Sequence, residues 1–285
     1  MSEFLIVGGT GKTGRRIAKR LRNAGLGVRT ASRTGGDVPF DLGEPSGWPR
    51  ALAGITAAYL LEPEVQGTEE GQRRIPRLVN AAAAAGVRRL VLLSAPGVES
   101  NEAHPLWQAE EAVRNSGLEW TIVQPNWFAQ NFSEDFWLPG ILAGSLVLPV
   151  GDGATAFVDA EDIADVAVAA LTGDGHHGQA YVLTGPRVIS FDEAAGLIGT
   201  AAGRTIRHVD IGPEDFIRAQ IAAGVPAGAA RQMTRLYEGI RNGGHAAVYD
   251  GVPRALGRPP RAFEDFAAAA AAAGAWSTNS QTHRS

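Results

Sequence analysis

The 285-residue chain contains no cysteine. Disulfides, thiolate catalysis and cysteine-ligated metals are excluded with it. It also lacks a surplus of positive charge. With 26 Lys and Arg against 30 Asp and Glu, its formal net charge is −4. That gives no basic footprint for nucleic acid and no polybasic membrane anchor. No apolar run reaches the length of a bilayer span. Histidines number six and are scattered. His176 and His177 stand in a glycine-rich loop with no i, i+4 partner or nearby set of acids, so they read as a solvated loop and not as a metal site. No Ser-His-Asp arrangement can be assembled from the spacing. Met1-Ser2-Glu3 leads straight into the first strand candidate and leaves no room for a signal peptide, so the expected location is the cytoplasm. The remaining composition, 45% hydrophobic and 20% charged, is that of an ordinary globular protein, either one large domain or one domain with an appended lobe.

What the chain has in plenty is glycine, 36 residues, and its first cluster is the most informative stretch. Phe4-Leu5-Ile6-Val7 is a continuous apolar run, as in a strand buried on both faces. Gly8, Gly11 and Gly14 follow with the spacing G-x-x-G-x-x-G, and Ile17, Ala18 and Leu21 resume at helical spacing. Strand, tight turn and helix in that order are what a dinucleotide pyrophosphate needs: backbone that can approach it closely, facing unpaired N–H groups and the positive end of a helix dipole. A glycine-rich connection without a ligand is the competing reading. The nucleotide-hydrolase phosphate loop is excluded: Gly11-Lys12-Thr13 is present, but Ile6 stands where that motif needs its first glycine.

Along the chain, apolar runs alternate with helical patterns, which predicts an α/β fold with a doubly wound parallel sheet of the Rossmann type. Strands are expected at 27–32, 38–40, 57–61, 89–95 and 119–123, with helices between them at 48–52, 71–85 and 104–116. Pro76 is expected in the first or second turn of its helix. The second strand ends in Ser32, Arg33 and Thr34, with no acid before Asp37. An acid at that point would accept from a free ribose 2′-hydroxyl, whereas a basic residue suits a 2′-phosphate, so the charge pattern favours NADP over NAD. A solvated loop charge is the plainer reading of Arg33. After Gln124-Pro125 the pattern changes: Trp127, Phe128, Phe132, Phe136 and Trp137 crowd into a dozen residues. Aromatics at such spacing are either core or the lining of a flat, water-poor pocket. Further helices are expected at 161–171, 214–223, 228–241 and 262–273, strands at 181–185 and 206–211, and a capping box at Ser190 with Glu193.

Taken in order, Val7-Gly8-Gly9-Thr10-Gly11-Lys12-Thr13-Gly14, Ser32-Arg33, Asp41-Leu42, Leu60-Leu61 with Pro63, Leu92-Leu93-Ser94, Glu110-Glu111, Pro125-Asn126-Trp127-Phe128, Gln130-Asn131-Phe132, Phe157-Val158-Asp159 and Gly257-Arg258-Pro259-Pro260 resemble the NmrA-like group of atypical short-chain dehydrogenases/reductases. That group includes NADP-sensing regulators, quinone and triphenylmethane-dye reductases and reductases of the festuclavine dehydrogenase type. The resemblance covers nearly the whole chain. It implies an NADP-binding domain over 1–150, a smaller substrate lobe over 151–276 and a flexible tail over 277–285. The implied cofactor set is Gly8, Thr10, Gly11, Lys12, Thr13, Gly14, Ser32, Arg33, Asp41, Leu42, Leu61, Ser94, Pro125 and Asn126. The implied substrate set is Glu62, Trp127, Phe128, Asn131, Phe132 and Trp137. One departure matters. The Tyr-x-x-x-Lys pair of typical short-chain dehydrogenases is missing, since the helix after the fifth strand reads His104-Pro105-Leu106-Trp107-Gln108-Ala109-Glu110-Glu111.

The expectation is therefore an NADPH-dependent reductase acting on a hydrophobic, electron-poor small molecule such as a quinone, iminium or conjugated carbonyl, for which a tyrosine donor is dispensable. A regulator that binds NADP without turnover and a non-redox enzyme on the same fold are the alternatives. Ser94, His104 and Asn131 are catalytic candidates, with His104 at a helix start where the dipole would lower its pKa. Ser94 could equally be a turn or cap residue. Glu62 is a candidate for recognising a substrate cation. A monomer or homodimer is expected, with a small molecule as the partner.

Overall fold

A computed structural model describes residues 3–63 and 68–277. In chain order these form β1 (Glu3–Val7), α1 (Lys12–Asn23), β2 (Gly27–Ser32), β3 (Val38–Pro39), α2 (Trp48–Leu52), β4 (Ile55–Leu60), α3 (Glu69–Ala84), β5 (Arg89–Leu93), α4 (Trp107–Arg114) and β6 (Glu119–Pro125). They continue as α5 (Asn131–Glu134), α6 (Leu138–Ala143), β7 (Ser145–Leu148), β8 (Ala154–Thr155), α7 (Ala160–Thr172), β9 (Gln179–Leu183), β10 (Ile189–Ser190), α8 (Phe191–Ala202), β11 (Arg207–Asp210), α9 (Pro213–Ala222), α10 (Ala227–Arg241), α11 (Gly251–Leu256) and α12 (Phe263–Ala272).

The chain divides into two compact units. The first comprises Met1–Pro125, Ala160–Leu183 and Tyr249–Pro259, and the second Asn126–Asp159, Thr184–Val248 and Pro260–Ser285. The division therefore differs from the split expected at residue 150. The break falls at the end of β6, and two later segments return to the first unit. Their reason for returning is visible in the pairing. β9 completes the sheet by pairing with β6, and α7 packs on α1, β4, β5 and β6. The expected flexible tail lies, apart from Ser277, outside the described residues.

The first unit is a seven-stranded parallel sheet in the order β3-β2-β1-β4-β5-β6-β9. The order reverses between β1 and β4, and in such sheets the crevice at that switch, beyond the strand carboxyl ends, is where ligands bind. Alternation of side chains divides the core. Leu5, Val7, Ala58, Leu60, Leu90 and Leu92 pack with Leu52 of α2, Leu78 of α3 and Val113 of α4. Tyr59 points the other way, toward α1, where its hydroxyl donates to Thr13 Oγ1 at 2.8 Å. Pro39 confines β3 to two residues at the sheet edge, as expected. α3 begins at Glu69, capped by the Thr68 hydroxyl, so Pro76 lies nearer its middle than the sequence spacing suggested.

One electrostatic clamp orders this unit. Arg16 and Arg20 of α1 reach Glu161 at 2.6 Å each, and Arg20 reaches Asp165 at 2.5 Å. Arg258 then bonds Asp162 at 2.7 Å and Asp165 at 2.6 Å. The Asp162 side chain is 0% exposed, so its charge depends on these partners. The Gly257-Arg258-Pro259-Pro260 motif thereby finds a structural role.

The second unit is built on an aromatic core. Phe132, Trp137, Phe157, Phe191, Tyr237 and Phe263 pack together between the two-stranded pairs β7–β11 and β8–β10 and the helices α8, α9, α10 and α12. The Ser190 hydroxyl accepts from the Glu193 N–H at 3.1 Å and starts α8 as the capping pattern predicted.

Candidate functional site

The glycine turn sits at the β1/β4 switch. Gly8 has φ +66°, a conformation that favours glycine, and a Cβ there would lie 2.7 Å from Leu61 Cδ2 at the end of β4. A Cβ at Gly14 would lie 2.2 Å from the Gly8 carbonyl oxygen, so α1 can meet the end of β1 only without a side chain there. Gly11 donates to the Gly8 carbonyl at 2.9 Å, closing the turn. α1 then begins with no side-chain cap and no acid in its first turn, which leaves the positive end of its dipole to an anion. Thr13 is buried against Tyr59, and Lys12 opens the helix.

Beside the turn, Thr10 Oγ1 and Ser32 Oγ lie 2.9 Å apart. Ser32 donates its proton to the Thr34 carbonyl at 2.7 Å, so Thr10 is the donor of that pair. Arg33 is exposed on the adjoining loop. Asp37, the first acid after β2, is half-exposed, with its Oδ2 directed at Thr30 and Arg22. Its Oδ2 accepts from the Thr30 N–H at 2.8 Å, the Thr30 hydroxyl at 2.7 Å and Arg22 at 2.7 Å. The bond from the Thr30 N–H leads the causes that hold this carboxyl below its usual range. A groove lined by Gly9, Thr10, Arg15, Lys19, Thr30 and Gly35 flanks the turn and carries positive charge.

Other residues of the expected cofactor set have structural duties. Asp41 accepts from the Gly43 N–H at 2.7 Å and caps its own turn. Leu42 is a core residue at 7% exposure. The Glu62 side chain is 5% exposed and faces Arg74 Nη1 at 3.5 Å, a partner within the fold. Pro125 ends β6 and Asn126 follows it in the second unit, buried, with its side-chain amide donating to the His245 carbonyl at 3.2 Å.

At the carboxyl ends of β5 and β6 lies a buried polar cluster. The Ser94 hydroxyl donates to Glu110 Oε1 at 2.6 Å, and Gln124 Nε2 donates to the same oxygen at 2.9 Å and to Glu99 Oε2 at 2.9 Å. Arg114 donates to Glu110 Oε2 at 3.1 Å. α4 itself carries neither tyrosine nor lysine. His104 precedes α4 by three residues and lies outside it, and its Nδ1 accepts from the Leu106 N–H at 3.1 Å. Its pKa is lowered, with burial the leading cause, opposed by the charge of Glu110.

The second unit, taken by itself, carries an aromatic cluster. Trp127 is half-buried and stacks on Trp137 (5.4 Å, 19°) and Tyr237 (5.9 Å, 17°), with Phe136 and His245 edge-on at 6.5 and 6.2 Å. Phe128 is also half-buried, and its bridge to Val158 anchors the segment. Gln130 donates to Asp159 Oδ1 at 2.7 Å, which gives the Phe157-Val158-Asp159 motif its bracing role. Phe132 and Trp137, expected as pocket lining, are 0% and 1% exposed. They are core residues, because the rings of Trp127, Phe136, Phe157, Phe191 and Phe263 close around them and they pack on each other. Asn131 is buried at 5%. Tyr237 and His245 escaped the sequence reading: they stand over 100 residues from Trp127, and only folding brings them to it. Burial raises the Tyr237 pKa to about 12 and lowers that of His245. Among the described residues no His, Asp and Glu side chains form a group able to hold a metal ion.

A family model described as NAD(P)H-binding matches residues 8–174, more than half of the chain. The chain belongs to the NAD(P)H-binding family. Within it, the chain is 36% identical over 286 residues to an NAD(P)H azoreductase of Xenophilus azovorans, covering 95% of this chain and 98% of that protein. It is 38% identical over 281 residues to a (4-alkanoyl-5-oxo-2,5-dihydrofuran-3-yl)methyl phosphate reductase of Streptomyces griseus, covering 93% and 96%. The fold matches the crystal structure of a Citrobacter triphenylmethane reductase complexed with NADP(H), with a TM-score of 0.75 over 95% of this chain and all of that one. At 21% identity this likeness establishes the fold. The glycine turn thus opens the family domain, and the chain stands by sequence among NAD(P)H-dependent reductases.

Proposed function

We propose that the protein is an NADPH-dependent reductase of hydrophobic, electron-poor small molecules, working without a Tyr-x-x-x-Lys pair. The observation that carries the cofactor preference is the run Ser32-Arg33-Thr34 at the end of β2, which holds no acid, while Oδ2 of Asp37, five positions beyond the strand, is engaged by Thr30 and Arg22. Arg33 and the basic groove beside Thr10 then suit a 2′-phosphate electrostatically. Gly8, Gly11 and Gly14 would hold the pyrophosphate against the uncapped start of α1.

When bound, NADPH supplies a hydride. The chain's part is to orient the cofactor, offer an apolar surface and exclude water. Within the second unit, Trp127 keeps a partly exposed ring stacked on Trp137 and Tyr237, an aromatic face of the kind a planar molecule stacks on. Quinones, iminium ions and conjugated carbonyls accept hydride without a strong acid, and the azoreductase relative adds azo compounds to the candidates. The test is NADPH consumption with a panel of these four classes. Turnover with at least one class is expected. Tight NADPH binding with no turnover by any of them would replace this reading by that of a redox-sensing binder.

A further inference from the structure

The Ser94–Glu110 pair decides what the serine can do. This inference rests on the reading of the first unit as an NADPH site. Ser94 follows β5, next to β4, whose end touches the glycine turn. A serine at the carboxyl end of a central strand could act in two opposite ways. It could donate its proton to a substrate oxygen, as an acid or oxyanion donor, or it could accept a hydrogen bond from a ligand. The count of hydrogens separates the two. Ser94 has one proton, and at 2.6 Å it goes to Glu110 Oε1. Glu110 is 1% exposed and meets only donors: Ser94 and Gln124 on one oxygen and Arg114 on the other. Gln124 cannot release the serine, because its amide nitrogen already serves two carboxylates, Glu110 and Glu99.

We propose that Glu110 is a positioning residue that takes the Ser94 proton and so fixes Ser94 Oγ as an acceptor for a donor group on the nicotinamide half of the cofactor, a ribose hydroxyl or the carboxamide N–H. Ser94 then supplies no proton to the reduced product. The cluster also joins the ends of β5, α4 and β6. The Ser94 N–H donates to the Val123 carbonyl at 2.8 Å, so the acceptor is fixed by main chain as well as side chain. Arg114 completes the positioning by holding the second carboxylate oxygen from one turn further along α4.

The test is a double-mutant cycle of Ser94→Ala and Glu110→Gln, read by NADPH titration and by steady-state kinetics at saturating NADPH. Ser94→Ala is expected to weaken NADPH binding about tenfold, the worth of one hydrogen bond, with kcat falling only severalfold and the pH profile of kcat/KM unmoved. Ser94→Thr keeps the hydroxyl and is expected to restore most of the affinity. Glu110→Gln must turn an amide N–H toward one of the surrounding donors, and is expected to weaken NADPH binding to a similar degree. The double variant is expected to be no worse than the weaker single one, because Glu110 acts through Ser94. A hundredfold loss of kcat in Ser94→Ala with unchanged NADPH affinity would overturn the proposal in favour of an acid. Additive losses in the cycle would overturn the positioning role. If Glu110→Gln does not fold, Ser94→Ala and Ser94→Thr alone decide, since an unchanged NADPH affinity in Ser94→Ala rejects the acceptor. If the unsubstituted protein binds no dinucleotide, the cofactor reading falls and this inference with it; binding by the unsubstituted protein with no effect of Ser94→Ala sinks this inference alone.

Discussion

At the scale of single residues, charge and hydrogen count divide the work around the glycine turn. Asp37 is the instructive case. As a sequence feature it is an acid five positions past the strand, ambiguous for a ribose site. In the fold it is an acceptor for Thr30 and Arg22, and the loop presents Arg33 instead. Arg33→Ala is therefore expected to weaken NADPH binding by about ten- to a hundredfold, the range of a charge-assisted bond to phosphate, and NADH binding by no more than about twofold. Parallel titrations of both cofactors check this, and equal losses would remove Arg33 from the phosphate site. The glycine turn was legible because local spacing carries its geometry. The partners of Asp37, Glu62 and Glu110 were not, because each is chosen by the packing of another element.

At the scale of elements, continuous apolar runs gave every strand of the sheet to within a few residues, and the edge position of β3 followed from Pro39. Short elements without periodicity, such as β8 and α11, did not stand out. The aromatic segment shows the limit of pattern reading. One period of rings holds both the surface-facing Trp127 and the buried Phe132 and Trp137, and only burial separates them. The α1–α7 clamp makes a prediction of its own. Arg258 bonds both the fully buried Asp162 and Asp165, so Arg258→Ala is expected to cost roughly 3 kcal/mol of stability. Urea unfolding measures it. The loss should shrink when Asp162→Asn is added, since the buried charge that Arg258 answers is then gone; an additive double variant would show that the pair is not coupled.

At the scale of the whole molecule, the division at Pro125 was hidden because the chain revisits the first unit twice, at 160–183 and 249–259. Spacing along a sequence does not show that β9 will close the sheet beside β6. The histidines give a global prediction. His104, His176 and His245 all have pKa values pushed below 6.5, in each case chiefly by burial. Between the folded and unfolded values the unfolded chain binds more protons, so their stabilising contribution is complete above about pH 6.5 and lost as the pH falls through the lowered values. Urea midpoints are expected to drop between about pH 7.5 and 5.5, and His245→Asn should flatten the slope. A midpoint that rises on acidification across this interval would contradict the burial of neutral imidazoles.

The central proposal is that the glycine turn, with Asp37 bonded to Thr30 and Arg22 and Arg33 on the adjoining loop, selects NADPH. Titration of the unsubstituted protein with NADPH and with NADH, followed by the fluorescence of the reduced nicotinamide, tests it most directly. The expected result is saturable binding of both, with NADPH about tenfold tighter or better. Equal affinities, or tighter binding of NADH, would contradict it.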